Sequence, residues 1–186
     1  MKLKINNFRA AFPVIFTPKA AQGEGKLSRS CAFIGDPKDP QIAMLEAALL
    51  TVAKEKWGAK GESTLKALRA ADKVALHDGD RKDYEGFAGM VYLSASKAES
   101  KGRVTVIDRD KSPLTEADGR IYAGCYVNAV ITLWAQDNSF GKRINAELCG
   151  IQFSKDGDAF GGGSAATVEE DDFDDISAGA DAADLI

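Results

Sequence analysis

The chain has 186 residues, 45% of them hydrophobic and 28% charged, which is enough for one well-buried domain and too little for two large ones. That balance excludes wholesale disorder and fibrous architecture, and no apolar run approaches the roughly 18 to 20 residues of a bilayer span. The formal charge of −4 is unevenly spread: Thr167–Ile186 holds eight acids and no base, which leaves residues 1–166 with 24 bases, 20 acids and a net of +4.

Lys2 and Lys4 are followed by Asn6, Asn7 and Arg9, so no apolar stretch of a secretion signal follows them and a soluble, cytoplasmic protein is expected. Leu3 and Ile5 alternate with Lys2, Lys4 and Asn6, the period of a half-buried strand over Lys2–Phe8 whose other face is basic. Pro13 and Pro18 are expected to break or kink the chain. Gln22–Lys26 reads as a loop and Ser28–Ile34 as a second strand. Gly25-Lys26 has the look of a phosphate loop, but Ala20 stands where the first glycine belongs and a strand follows where a helix is required. Cys31, Cys125 and Cys149 lack metal-type spacing and are expected to be buried free thiols of a reducing compartment.

Asp39-Pro40 opens a helix, the carboxylate capping free amides and the proline pre-set for the first turn. Ile42, Leu45, Leu49 and Val52 recur at helical spacing, and Gly58 suits the exit. A shorter helix over Thr64–Ala71 turns Leu65 and Leu68 inward, giving a helical insertion over about residues 39–72 that covers one end of the sheet, with Trp57 as a packing anchor. His77 is the single histidine, which excludes multi-histidine zinc sites. It reads as an exposed turn residue within Leu76–Asp80.

Val91 and Leu93 alternate with Met90, Tyr92 and Ser94 in a strand over Ala88–Ser96, and a polar turn leads to Arg103–Ile107, so the two runs read as a hairpin. Asp108 and Asp110 are a pair that could hold Mg²⁺ as in a nuclease. Alternating charge in Asp108–Pro113 favours a plain loop, and no metal or other cofactor is expected.

Arg120–Trp134 is the most informative stretch. Ile121, Ala123, Cys125, Val127, Ala129, Ile131 and Leu133 are apolar and suit a barrel or sandwich core. If the strand is regular, Arg120, Tyr122, Tyr126, Asn128, Thr132 and Trp134 share the opposite face. Aromatics, a guanidinium and an amide on one face are what an unpaired nucleic acid requires, since bases stack on flat rings while cations track the phosphates. Helices or a dimer partner covering that face account for it equally. Gln136–Arg143 is then a basic loop in which Phe140, beside Lys142 and Arg143, caps a DNA groove or anchors the loop in the core. A last strand is expected near Ile144–Phe153. Gly161-Gly162-Gly163-Ser164 reads as a flexible linker, dividing a domain of residues 1–160 from a disordered acidic tail over 161–186.

Tyr122–Ala129, Trp134–Asn138, Leu148–Phe153, Asp156-Gly157 and Gly161–Gly163 resemble a family of bacteriophage single-stranded DNA-binding proteins with an OB-type barrel. The strand leading to Phe12-Pro13, the helix ending Lys54–Gly58 and the acidic end extend the likeness over essentially the whole chain. The resemblance implies a mainly β, OB-fold-like antiparallel barrel with a helical insertion, which coats single strands in phage replication or recombination without bond chemistry. It implies that the tail contacts a polymerase, helicase or nuclease through Glu169, Glu170, Asp171, Asp172, Phe173, Asp174 and Asp175, and competes with DNA for the groove. Many such tails end on an aromatic residue; this one ends Asp184-Leu185-Ile186. The helical segment also falls earlier than in the usual OB order. In this reading Tyr122, Tyr126 and Trp134 stack bases, Asn128 and Phe140 add contacts, and Arg120, Lys2, Lys4, Arg103, Lys142 and Arg143 neutralise phosphate. A homo-oligomer or cooperative array on DNA is compatible with it. A strand-annealing recombination protein and a metal-dependent nuclease are the rival classes.

Overall fold

The computed structural model describes residues 1–20 and 25–161; the expected acidic tail and most of the glycine linker lie outside the described residues. Strands β1 (Lys2–Ala20), β2 (Leu27–Gly35), β3 (Leu76–Asp78), β4 (Val91–Ala98), β5 (Thr105–Ile107), β6 (Tyr126–Asn138) and β7 (Gly141–Lys155) form one sheet, with helices α1 (Pro40–Trp57) and α2 (Gly61–Ala70) between β2 and β3. The order is β3-β4-β2-β1-β6-β7-β5. A parallel pairing of β4 with β7, through Ala95 with Ala146 and Ser96 with Glu147, closes β1, β2, β4, β7 and β6 into a ring. That five-stranded ring is an OB-like barrel.

Alternation along β6 fills the barrel as the sequence predicts. Cys125, Val127, Ala129, Ile131 and Leu133 are all essentially inaccessible and meet Ile5, Phe33, Leu93, Ile144, Leu148 and Phe153 from the facing strands. Helix α1 closes one end. Asp39 accepts a hydrogen bond from the Gln41 amide, Pro40 takes the first turn, Gly58 terminates at φ +56°, and Ile42, Leu45, Leu49 and Val52 point into the core. Helix α2 adds Leu65 and Leu68 and is tied to α1 by an Arg69–Glu46 ion pair. Trp57 packs half-buried against the core and donates its indole N–H to Asp137 at 2.8 Å. Elsewhere the buried Arg29 donates to the carbonyls of Phe16 at 3.1 Å and Gly102 at 3.3 Å, binding β1 to the β4–β5 loop.

Four expectations are corrected. The first strand does not stop near Phe8, because the prolines fall where the ladder is already shifted. Register slips between Ile5 and Phe8, Ala11 and Val14, and Val14 and Lys19 let β1 bend and reach Ala20, pairing first with β6 and then with β2. No hairpin joins Ala88–Ser96 to Arg103–Ile107: β2, β3 and β7 all pair with β4, so β5 runs parallel to β7 instead. The basic loop over Gln136–Arg143 shrinks to a two-residue turn, Ser139-Phe140, since β6 runs to Asn138 and β7 restarts at Gly141. His77 is in β3 rather than a free turn, stacked on Tyr92 with centroids 4.7 Å apart. Of the three thiols, Cys31 and Cys125 are buried and Cys149 is half-buried on the outer face; burial pushes the first two thiol pKa values up.

A second, smaller apolar cluster lies outside the ring. Ala32 and Ile34 of β2 and Tyr92 of β4 face outward and are covered by Phe87 and Phe160. The 79–90 loop folds back through Gly79, where a Cβ would meet the Phe87 carbonyl oxygen at 2.1 Å, so only glycine fits. Phe160 is held by Arg9, whose guanidinium lies 4.1 Å from its ring centre and also donates to the carbonyls of Gly124 and Asp158.

Candidate nucleic-acid interface

The structure separates the sequence-predicted residues into three groups. Lys2, Lys4 and Asn128 project from β1 and β6 into one groove of about 370 Å³, with Thr105, Gln152 and Cys149 on its other side. Trp134, Phe140, Lys142 and Arg143 belong to the β6–β7 hairpin. Trp134 is 39% exposed with the Lys101 ammonium 5.8 Å from its ring centre, and Phe140 at the tip is 85% exposed. Lys142 lies over Trp57 and pairs with Asp137 at 3.7 Å.

The expected outer strip forms only in part: Tyr126, Asn128, Thr132 and Trp134 alternate outward along β6, while Arg120 and Tyr122 fall outside the strand. Regular pairing in β6 begins at Tyr126, so Arg120 and Tyr122 are in the preceding loop. The Tyr122 hydroxyl accepts from the Gly157 amide at 3.1 Å, within donating reach of the Gly157 carbonyl and the Asp156 carboxylate. Desolvation raises its pKa. Tyr126 carries Lys155 over its ring at 4.5 Å, and Gly157 packs so close that a Cβ there would come within 2.9 Å of the ring. Arg120 pairs with Asp108 at 3.5 Å and covers Phe153. Arg103 is exposed in the β4–β5 connection, its carbonyl accepting from Lys97.

A face that the sequence reading missed lies over β2, β4 and β7. Ser28 and Ser30 of β2 pair with Ala98 and Ser96 of β4, and Ser94 and Ser96 are exposed, so the centre is flat and polar. Arg143 and Asn145 of β7 flank it. At one end Phe12, Tyr84, Phe87 and Tyr92 form a continuous ring cluster, with Phe12 and Tyr84 4.6 Å apart and 38% and 40% exposed. The Lys82 ammonium lies 4.9 Å from Phe12, 5.2 Å from Tyr92 and 5.5 Å from Phe87. Phe12 has φ +48°, a left-handed conformation that costs a bulky side chain about 1–3 kcal/mol and concentrates at functional positions. The bulge between Ala11 and Val14 is what turns its ring outward. The available signal was Phe12 preceding Pro13 and Tyr84 within Lys82–Glu85, rings next to charge in segments with no apolar period.

Asp108 and Asp110 are used locally. Asp108 holds Arg120, while Asp110 accepts from the Ser112 hydroxyl at 2.6 Å and its amide at 2.9 Å, which lowers its pKa. Among the described residues no three His, Cys, Asp or Glu side chains converge as a metal site, and no helix is long and apolar enough to cross a membrane.

In OB barrels an oligonucleotide crosses the second and third barrel strands between the loops after the first and fourth. Here those strands are β2 and β4, and the loop after the fourth is the β6–β7 hairpin bearing Phe140. The family model described as Enterobacter phage Enc34, ssDNA-binding protein, matches residues 1–186. Putative protein p50 of Acyrthosiphon pisum secondary endosymbiont phage 1 is 45% identical over 180 residues, 95% of each chain. The solved single-stranded DNA-binding protein from bacteriophage Enc34 in complex with ssDNA superposes with a TM-score of 0.71 at 27% identity, over 86% of this chain and 89% of that one. The crystal structure of gp2.5, a single-stranded DNA-binding protein encoded by bacteriophage T7, has a TM-score of 0.60 over 93% of this chain and 97% of its own; at 14% identity the likeness is one of fold.

Proposed function

The chain belongs to the family of phage single-stranded DNA-binding proteins typified by Enterobacter phage Enc34, and from that premise we propose that it binds single-stranded DNA without sequence preference and without bond chemistry. The observation that carries the reading is the exposed Phe12–Tyr84 pair with Lys82 above it, at the end of a flat serine-lined OB face. Bases stack on these rings and on Trp134 and Phe140 of the hairpin, while Lys82, Lys142 and Arg143 meet phosphates. Lys2, Lys4 and Asn128 in their groove, with Arg103 and Arg120, extend the cationic track around the barrel. Tyr126 keeps a partly open ring beside Lys155; Tyr122 serves by holding the 156–161 segment in place. The protein would coat strands exposed in phage replication or recombination, in the cytoplasm of the infected host, as single copies or as a cooperative array. Titration of a fluorescent dT oligonucleotide at several salt concentrations tests this. Log affinity should fall by about 0.7 per neutralised phosphate for each log unit of salt, and a flat response defeats the proposal.

The acidic end adds regulation to the same reading. Gly161, the last described residue, donates its amide to Glu85 at 3.1 Å and lies beside Tyr84, so the described chain ends next to the ring cluster. An acidic segment attached at that point would meet the cationic face at high effective concentration. Truncation after Gly161 is expected to strengthen DNA binding several-fold at low salt and less at high salt. Equal affinity for both forms at low salt would leave Glu169–Asp175 only the recruitment of a polymerase, helicase or nuclease.

A further inference from the structure

Between β3, β4 and β7, at the β7 side of the serine-lined face, is a small polar pocket of about 180 Å³ lined by Lys73, His77, Ser94, Ser96, Arg143 and Asn145. Its chemistry is selective. Two cations, two hydroxyls and an amide suit a tetrahedral oxyanion, and no carboxylate lines it. The imidazole is held on both sides: stacked on Tyr92 at 4.7 Å and 16°, with Nδ1 2.8 Å from the Asp72 carboxylate. That bond lowers the Asp72 pKa. With Nδ1 donating to Asp72, Nε2 is the ring nitrogen left for a ligand, an acceptor when the ring is neutral and a donor when it is protonated.

We propose that this pocket is a phosphodiester clamp in which Lys73 and Arg143 neutralise one DNA phosphate and His77, positioned by Asp72 and Tyr92, donates to it only when protonated. The proposal rests on the DNA-binding reading above and adds a proton dependence to it. Four neighbouring elements set the field at the imidazole. The charged and titratable groups that face it are Asp72 and Lys73 at the α2–β3 turn, Arg81 and Lys82 after β3, Tyr92 of β4 and Arg143 of β7. A bound phosphate adds negative charge and favours the protonated ring, so by linkage a lower pH tightens DNA binding.

The test uses the full-length chain and a dT oligonucleotide at fixed ionic strength, between about pH 8 and about pH 5.5, where imidazoles titrate. Wild type is expected to gain roughly three- to tenfold in affinity on acidification, the worth of one charge-assisted bond at a partly exposed site. His77→Gln, whose amide does not change charge between these pH values, should lose that pH-dependent gain. Arg143→Gln, at an exposed position, should retain the pH response and reduce the salt slope by about 0.7. Identical pH profiles for wild type and His77→Gln, or an unchanged slope in Arg143→Gln, overturn the clamp. Failure of wild type to bind dT at any pH would instead remove the DNA-binding reading, so the two failures are distinct. Far-ultraviolet circular dichroism of each variant guards against unfolding. Should His77→Gln unfold, the slope of Arg143→Gln and the pH response of Asp72→Asn, which leaves the imidazole without its carboxylate, decide the matter.

Discussion

Replacing both Phe12 and Tyr84 by alanine is expected to weaken binding of a short dT oligonucleotide by about 30-fold or more, since each base stacked on a ring is worth about 1–3 kcal/mol. The effect should appear without loss of fold, because the rings are 38% and 40% exposed and pack mainly on each other and on the edge of the outer cluster. Phe12→Gly separates the ring from its backbone: glycine adopts φ near +48° freely, so this variant relieves the strain at the bulge while removing the stacking surface. A folded Phe12→Gly protein with weakened DNA binding supports the ring as a platform. Anisotropy of a labelled oligonucleotide reads the affinity. Undiminished affinity in the folded double variant would move stacking to the β6 strip, to Tyr126 and Trp134, and leave Lys82 over an apolar patch with some other purpose.

Two kinds of information decided what could be seen beforehand. Period-two alternation and capping are local, so the inward set from Cys125 to Leu133, the Asp39-Pro40 helix start and the α1 stripe were readable residue by residue; the structure places the inward set and the stripe in the core and caps the helix with Asp39. Pairing partners are not local. Whether β5 joins β4 or β7 depends on which edges remain free after a ring has closed through Ala95 and Ala146, and nothing in Arg103–Ile107 encodes that. The same holds at Phe12. A proline after an aromatic residue suggests a strand end, yet with β2 and β6 pairing on either side of β1 the cheaper solution is a bulge that lets the strand continue. That bulge exposes a ring which alternation alone assigns to no particular face. Tyr122 is the converse case, placed outside the strand. Its parity matched Tyr126 and Trp134, but parity means something only within a regular strand, and the chain before Tyr126 is a turn around Gly124 at φ +113°, where a Cβ would strike the Asp158 carbonyl.

Phe33 and Phe140 show how the two roles of an aromatic side chain can be told apart by measurement. Phe33 is fully enclosed between β2 and the barrel core, and Phe33→Ala removes a large buried ring that the surrounding strands, fixed by their ladders, cannot collapse to fill. The expected cost is about 3–5 kcal/mol, a large share of the roughly 5–15 kcal/mol that holds a domain folded, and it should appear as a lower urea midpoint with the slope retained. Phe140 is 85% exposed at the hairpin tip, and the bond that shapes its turn is made by its backbone amide to Asn138 at 3.0 Å. Phe140→Ala therefore should leave the midpoint within about 0.5 kcal/mol of wild type and weaken oligonucleotide binding by the worth of one stack, about 1–3 kcal/mol. A ring so exposed gains nothing for folding, so if its removal also left DNA binding unchanged, the hairpin tip would lie off the path of the strand and the track would have to run through the Lys2–Lys4 groove instead.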